Sequence, residues 1–289
     1  MAAVLTAPPA TAGKTRQIRG RRNYVGGLLA WLWLAVIILP IYYAVVTTFK
    51  DQGAYFTQNP LAPPSPPTMT AYQQVLDSGI GRYFLNSVIV TVGSVVPIVL
   101  VSFLAAYAIV RGNSRFLRFS RALFLMGLAI PLQATIIPIY LIITRIQMYD
   151  TLGALILPSI AFGIPLTVLI LSNFLRDVPR ELFESMRLDG CSDWQMAWKL
   201  AFPLVRPAIV TVSIYNGLNV WNGFLFPLIL TQSPDLRVMP LALWAFQGEY
   251  SVNIPAVLAA VVLSTLPILV LYVVGRRQLL SGLTAGFGK

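Results

Sequence analysis

Histidine is absent from the 289 residues, and cysteine occurs once, at Cys191. Without histidine no Ser-His-Asp triad forms. One cysteine closes no internal disulfide, and no Cys/His metal site can be assembled. Charge is scarce as well. Asp, Glu, Lys and Arg make up 11% of the chain, against about a quarter in a soluble globular protein. A deficit of that size takes much of the chain out of water. A phosphate-binding loop is also missing. Gly13-Lys14-Thr15 resembles the end of one, but the pattern needs a glycine where Pro8 stands, and a preceding strand. The chain therefore has no nucleotide site of its own, and energy for any work comes from a partner.

What the chain has is apolar length. Residues are 57% hydrophobic and mean hydropathy is +0.74. Six apolar stretches stand out, at 24–49, 83–110, 122–144, 152–175, 208–231 and 256–275. Each reaches the roughly 20 residues that cross about 30 Å of hydrocarbon. The interiors of the last five hold no Asp, Glu, Lys or Arg. Backbone in lipid must satisfy its own hydrogen bonds, so these read as helices. A barrel would show alternating segments of about ten residues, and none appear. The fold class is all-α integral membrane, with six transmembrane helices in one membrane domain, 24–275. Residues 1–23, rich in Ala, Pro and Thr and then basic, read as a disordered tail. Residues 276–289 read as a second tail. The first apolar stretch is too long for a signal-peptide core and lacks a clear cleavage site, so it is retained. Prolines within spans (Pro40, Pro97, Pro131, Pro138, Pro158, Pro165, Pro227, Pro267) read as tolerated kinks. Loop 50–82 is proline-rich and reads as locally extended.

The net charge of +11 admits two explanations, nucleic-acid binding and membrane topology. Position decides. With the N-terminus inside, seventeen of the 21 basic residues fall on inner segments, including Arg111, Arg115, Arg118, Arg121, Arg176, Arg180 and Arg187. Lys50, Arg82, Arg145 and Arg237 fall outside. That is the positive-inside asymmetry. It accounts for the charge without nucleic acid and places both termini in the cytoplasm.

The inner loop 176–207, between spans four and five, reads as two short helices with a sharp joint. Asp177 is positioned to cap the first, with Pro179 in its first turn. Gly190 follows as a left-handed terminator. Ser192-Asp193-Trp194-Gln195 is a capping box for the second. Leu182, Phe183 and Met186 share one face of the first helix, and Trp194, Ala197, Trp198 and Ala201 one face of the second. A DNA-binding helix-turn-helix has similar spacing, but confinement between two spans argues against it.

Glu184-Ser185-Met186-Arg187-Leu188-Asp189-Gly190, followed by Phe202-Pro203-Leu204, resembles the EAA motif of ABC importer permeases. Glu184, Asp189, Gly190 and Pro203 match its pattern; Ser185, Met186, Cys191 and Phe202 depart from it. Phe84-Leu85-Asn86-Ser87, Ile130-Pro131, Tyr149-Asp150-Thr151-Leu152 and the tail 281–286 resemble the carbohydrate branch, most nearly its maltose-type six-span subunit. The resemblance implies a bacterial inner-membrane subunit that imports a sugar or oligosaccharide by alternating access and is not itself an enzyme. It implies a second homologous permease, two ATPase subunits that bind the ATP and Mg, and an external sugar-binding protein; the chain itself holds no cofactor. Loop 176–207 would be the coupling loop, with Glu184 as charged contact, Leu182, Phe183 and Met186 filling a groove on the ATPase, and Ser185, Asp189 and Gly190 completing the motif.

Neutral polar residues in the spans, Gln133, Asn216, Asn219 and Asn222, suit sugar hydroxyls, with Tyr215 and Trp221 nearby. They suit hydrogen bonds between helices equally well. The lack of ionisable residues within spans disfavours a proton-coupled secondary carrier. A non-transporting assembly or scaffold protein is the remaining alternative. Topology is tested by labelling in cells. A cysteine introduced as Arg118→Cys is expected to resist a membrane-impermeant external reagent, and efficient labelling from outside would overturn the orientation.

Overall fold

The computed structural model describes residues 24–246 and 252–285. The tail 1–23, and Gly286 of the C-terminal motif, lie outside the described residues. Among the described residues every regular element is helical. A first compact unit ends at Tyr43 and a second begins at Ala44. The first helix, α1 (Tyr24–Thr47), carries Pro40 and has a mean hydropathy of 2.3.

Loop 50–82 holds two short helices, α2 (Gln52–Thr57) and α3 (Thr70–Asp77), rather than a wholly extended chain. Asp51 caps α2 by accepting the Ala54 N–H at 2.6 Å. Lys50, read from the sequence as an outer basic residue, is only 1% exposed. Its ammonium donates to the carbonyls of Asn59 (2.7 Å) and Pro60 (3.3 Å) and so gathers this loop.

Next come α4 (Ile80–Arg111), α5 (Arg115–Gly127), α6 (Ile136–Arg145) and α7 (Leu152–Arg176). The most extensive helix contact is between α4 and α7. Ser94, Ile98, Ser102 and Ala106 repeat every fourth residue along α4 and are fully buried. Small residues there let two backbones approach, which is how helices associate in lipid. The Ser102 hydroxyl donates to the Ile164 carbonyl across the pair at 3.4 Å. Gly163 meets the same face: a Cβ there would fall 2.5 Å from Ile98 Cδ1.

Stretch 122–144 is not one helix. After α5, the segment Leu132–Arg145 (a 3-10 turn, then α6) leaves at 100°. Pro131 stands at the break with φ −70° and ψ 130°. It lacks an N–H and disfavours helical backbone at the preceding residue. Pro40, Pro97, Pro158, Pro165 and Pro267 stay inside helices, as read.

The loop after α7 contains α8 (Arg180–Leu188), α9 (Asp193–Met196), a π-helical turn Ala197–Ala201 and α10 (Phe202–Leu204). Stretch 208–231 then divides into α11 (Arg206–Trp221) and α12 (Leu225–Leu230), separated at Asn222 and Gly223. The last helix, α13 (Ile254–Ala285), continues past the expected end of its span. Among the described residues, three helices are long and apolar enough to cross a membrane, or up to five segments when each bent pair counts as one.

At the end of α4 near Ile80 a polar clasp closes the bundle. Asn86 Nδ2 donates to the carbonyls of Asp235 (2.8 Å) and Arg237 (2.9 Å). The Ser87 hydroxyl accepts the Met239 N–H at 2.8 Å. Asp150, with φ +58°, accepts the Ser233 hydroxyl and the N–H groups of Gln232 (2.8 Å) and Ser233 (3.0 Å). These bonds, the Ser233 hydroxyl first, favour the charged form and hold the Asp150 carboxyl below its usual range. The Asp150 part of the clasp is therefore fully present above the ordinary aspartate value, and its stabilisation is lost as pH falls through the lowered one. In detergent, Asp150→Asn is expected to lower the thermal midpoint relative to wild type at about pH 7, with the gap closing well below about pH 4. A gap that stays constant across that range would show that the carboxylate charge is irrelevant.

Candidate functional site

Loop 176–207 is built as an elbow of short helices. Helix α8 starts at Arg180 with Pro179 in the N-cap position and no side-chain cap. Asp177 instead ends α7, so the expected Asp177 cap is corrected. The far end is as read. Gly190 has φ +82°, with its N–H bonded to the Arg187 carbonyl (3.1 Å) and that of Cys191 to Met186 (3.0 Å). This double bond pattern closes a helix around a left-handed residue. Two residues on, the capping box forms. Ser192 N–H donates to Gln195 Oε1 (2.9 Å), and Gln195 N–H to Ser192 Oγ (3.3 Å). Arg187 and Asp193 pair across the joint at 2.6 Å, both largely exposed.

The elbow is keyed into α4. Phe183 is 1% exposed and joins the buried cluster of Phe103, Leu171, Leu175 and Met196. The Arg111 guanidinium lies 3.9 Å from its ring centroid, a cation–π contact. Tyr107 packs against the same ring and donates its hydroxyl to the Asp193 carbonyl at 3.2 Å. Trp198 stacks among Phe103, Phe202 and Trp194. Ala197 and Ala201 are buried as their shared face requires, while Trp194 is 61% exposed.

The residues expected to fill a groove on the ATPase are placed differently from one another. Phe183 is already used within the chain, and Met186 packs on the same cluster. Leu182, Glu184, Ser185, Leu188 and Asp189 are among the side chains left on the loop surface, with Leu188 89% exposed. Helical spacing put Leu182 and Phe183 on one face, but a short helix against a bundle buries only the inner edge of that face. Tyr107 and Arg111 went unnoticed because a basic residue at a span end reads as topology alone.

A second feature is a recess of about 430 Å³ between α4, α7, α11 and the turn before α6. Gln133, Ser159, Phe162, Tyr215, Asn216 and Asn219 are among its lining residues, and none of the lining is charged. Three of the four polar residues singled out thus converge. Asn222 does not line it and donates to the Leu218 carbonyl at 2.8 Å. Trp221 lies elsewhere, with its Nε1 donating to Ser264 (3.3 Å). Asn216 is buried and ties α11 to α7, donating to Thr167 Oγ1 (2.9 Å) and Val212 (2.8 Å). Asn219 donates to the Tyr215 carbonyl at 2.9 Å and is exposed. No group of three or more metal-ligating residues occurs among the described residues.

Comparison with known proteins fits this architecture. Residues 98–279, which include the elbow and the recess walls from α7 onward, match the family described as binding-protein-dependent transport system inner membrane component. The chain belongs to this family. It is the permease component of an ABC importer, a transport subunit and not an enzyme. A putative ABC transporter permease of Caldicellulosiruptor sp. is 38% identical over 88% of this chain and 93% of that one. The diacetylchitobiose uptake system permease NgcG of Streptomyces coelicolor is 30% identical over 88% and 85%. A crystal structure of a bacterial ABC transporter involved in import of the acidic polysaccharide alginate superposes with a TM-score of 0.78 at 20% identity, covering 88% of this chain and 95% of that one. At that identity the likeness speaks for the fold.

The permease's elbow makes a direct prediction. Phe183→Ala empties a fully buried ring site and is expected to destabilise the loop packing by about 3–5 kcal/mol, read as faster proteolysis within 176–207. Leu182→Ala and Leu188→Ala, at exposed positions, are expected to leave protection unchanged. Equal protection in all three variants would mean that Phe183 does not anchor α8.

Proposed function

We propose that the permease translocates a carbohydrate across the bacterial inner membrane by alternating access, driven by ATPase subunits that dock on loop 176–207. The observation that carries this reading is the elbow itself: a short helix keyed to α4 through Phe183, leaving a carboxylate, Glu184, and apolar Leu182 and Leu188 outward. A rigid element of that kind passes ATPase closure to the bundle as a body. In this reading the spans number six: α1, α4, the bent α5–α6 segment, α7, α11 with α12, and α13. Both termini and loops 111–121 and 176–207 face the cytoplasm, in keeping with the basic residues. A second homologous permease completes the pathway, two ATPases bind the ATP and Mg, and an external binding protein delivers the sugar. Gln133, Asn219 and the rim of Asn216 offer amides to hydroxyl groups, and Tyr215 and Phe162 offer rings. A relative named for diacetylchitobiose uptake supports a saccharide substrate.

The test is reconstitution of the importer in liposomes. Gly190→Val forces a branched residue into φ +82°, costing roughly 1 kcal/mol or more. Glu184→Ala removes the charged contact, worth on the order of 3–5 kcal/mol where such a pair is buried on docking. Both are expected to weaken ATPase co-purification or uncouple hydrolysis from uptake while insertion survives. In the same assay Asn219→Leu is expected to lower uptake without loss of assembly. Normal ATPase association and uptake in the two loop variants would reduce the loop to a connector.

A further inference from the structure

Ser159, Gly163 and Thr167 recur every fourth residue along α7 and form one stripe. Ser159 and Gly163 line the recess, and Asn216 of α11 reaches the stripe at Thr167. The side-chain hydrogens of this group are all spent. The Ser159 hydroxyl donates to the Leu155 carbonyl at 2.7 Å. The Thr167 hydroxyl donates to the Gly163 carbonyl at 2.7 Å, so towards Asn216 it can only accept. Asn216 must therefore turn its Nδ2 that way. Both hydrogens of that amide are used, one on Thr167 Oγ1 and one on the Val212 carbonyl.

What Asn216 has left is Oδ1. It accepts no hydrogen bond among the described residues. It lies against Gly163, where a Cβ would fall 2.8 Å from it. Asn216 Oδ1 and Ser159 Oγ are thus acceptors with no hydrogen to give. They also belong to the more enclosed polar side chains of the recess: Asn216 is buried and Ser159 half-buried, whereas Gln133, Tyr215 and Asn219 are exposed.

We propose that the recess selects uncharged saccharide units over carboxylated ones, with Asn216 Oδ1 and Ser159 Oγ accepting from hydroxyl groups. A hydroxyl brings the hydrogen that both oxygens lack. A carboxylate only accepts. It would set its oxygens against theirs and leave water for a lining that holds no cation. The inference rests on the saccharide reading above and narrows its substrate class.

The full chain in nanodiscs is titrated with methyl β-glucoside and methyl β-glucuronide, and binding is read by saturation-transfer NMR. The two probes differ only in carrying a hydroxymethyl group or a carboxylate at one carbon. The glucoside is expected to bind, and the glucuronide to bind at least about 10-fold more weakly. The uncharged methyl ester of the glucuronide is expected to recover most of the affinity. Ser159→Ala is expected to weaken glucoside binding about 3- to 10-fold at an unchanged thermal midpoint. Ser159→Thr, which keeps the hydroxyl, is expected to bind as wild type does. Equal affinity for glucoside and glucuronide overturns the proposal. An ester as weak as the glucuronide also overturns it, because shape and not charge would then be the cause. Undiminished glucoside binding in Ser159→Ala does the same. Binding of neither probe overturns the inference while leaving the transport reading to the liposome assay, which registers uptake whichever contacts select the sugar.

Discussion

A bilayer gives a backbone amide nothing to bond to, so a helix that stops within it must find its partners inside the protein, whereas one that stops in a loop can also use water. Three breaks in this chain satisfy their backbone groups differently. At Pro131 the chain spends a residue that has no N–H. Around Gly190 and Ser192 a left-handed turn and a capping box consume the free ends of α8 and α9. At Asn222 and Gly223 the N–H groups turn back to the Leu218 and Val220 carbonyls. The helix pair α4–α7, dense with small residues, is the fixed frame on which these breaks are hung.

That frame has one polar lock at each end. Near Ile80, Asn86 and Ser87 of α4 hold the chain after α12, and Asp150 holds its neighbours. Near Arg111, Tyr107 and Arg111 hold both halves of the elbow. The same helix thus fixes the segment after α12 and the loop that offers Glu184 outward. Motion of α8 is motion of the end of α4.

Much of this was legible in the residues, and the reasons for the remainder are specific. Apolar length gave the long helices, and Gly190, Ser192 and Gln195 gave the elbow, because cap chemistry is local. The bend at Pro131 was missed because proline inside a membrane helix is usually tolerated, and whether it breaks depends on what packs beside it. The fate of Phe183 was missed for the same kind of reason: periodicity identifies a face, and only the neighbouring helix decides whether that face turns inward. The motifs at Asn86 and Asp150 were recognisable as family-like, but their work is a contact across more than eighty residues of sequence, beyond the reach of local pattern.

The recess lined by Gln133, Ser159, Tyr215, Asn216 and Asn219 has no charged side chain in its wall. An ion entering it would shed its hydration shell and receive only neutral dipoles in return, at a cost of several kcal/mol. A hydroxylated solute exchanges one set of neutral hydrogen bonds for another. The absence of charge therefore acts as electrical insulation: the recess offers neutral solutes partners of their own kind and gives an ion nothing in place of its water.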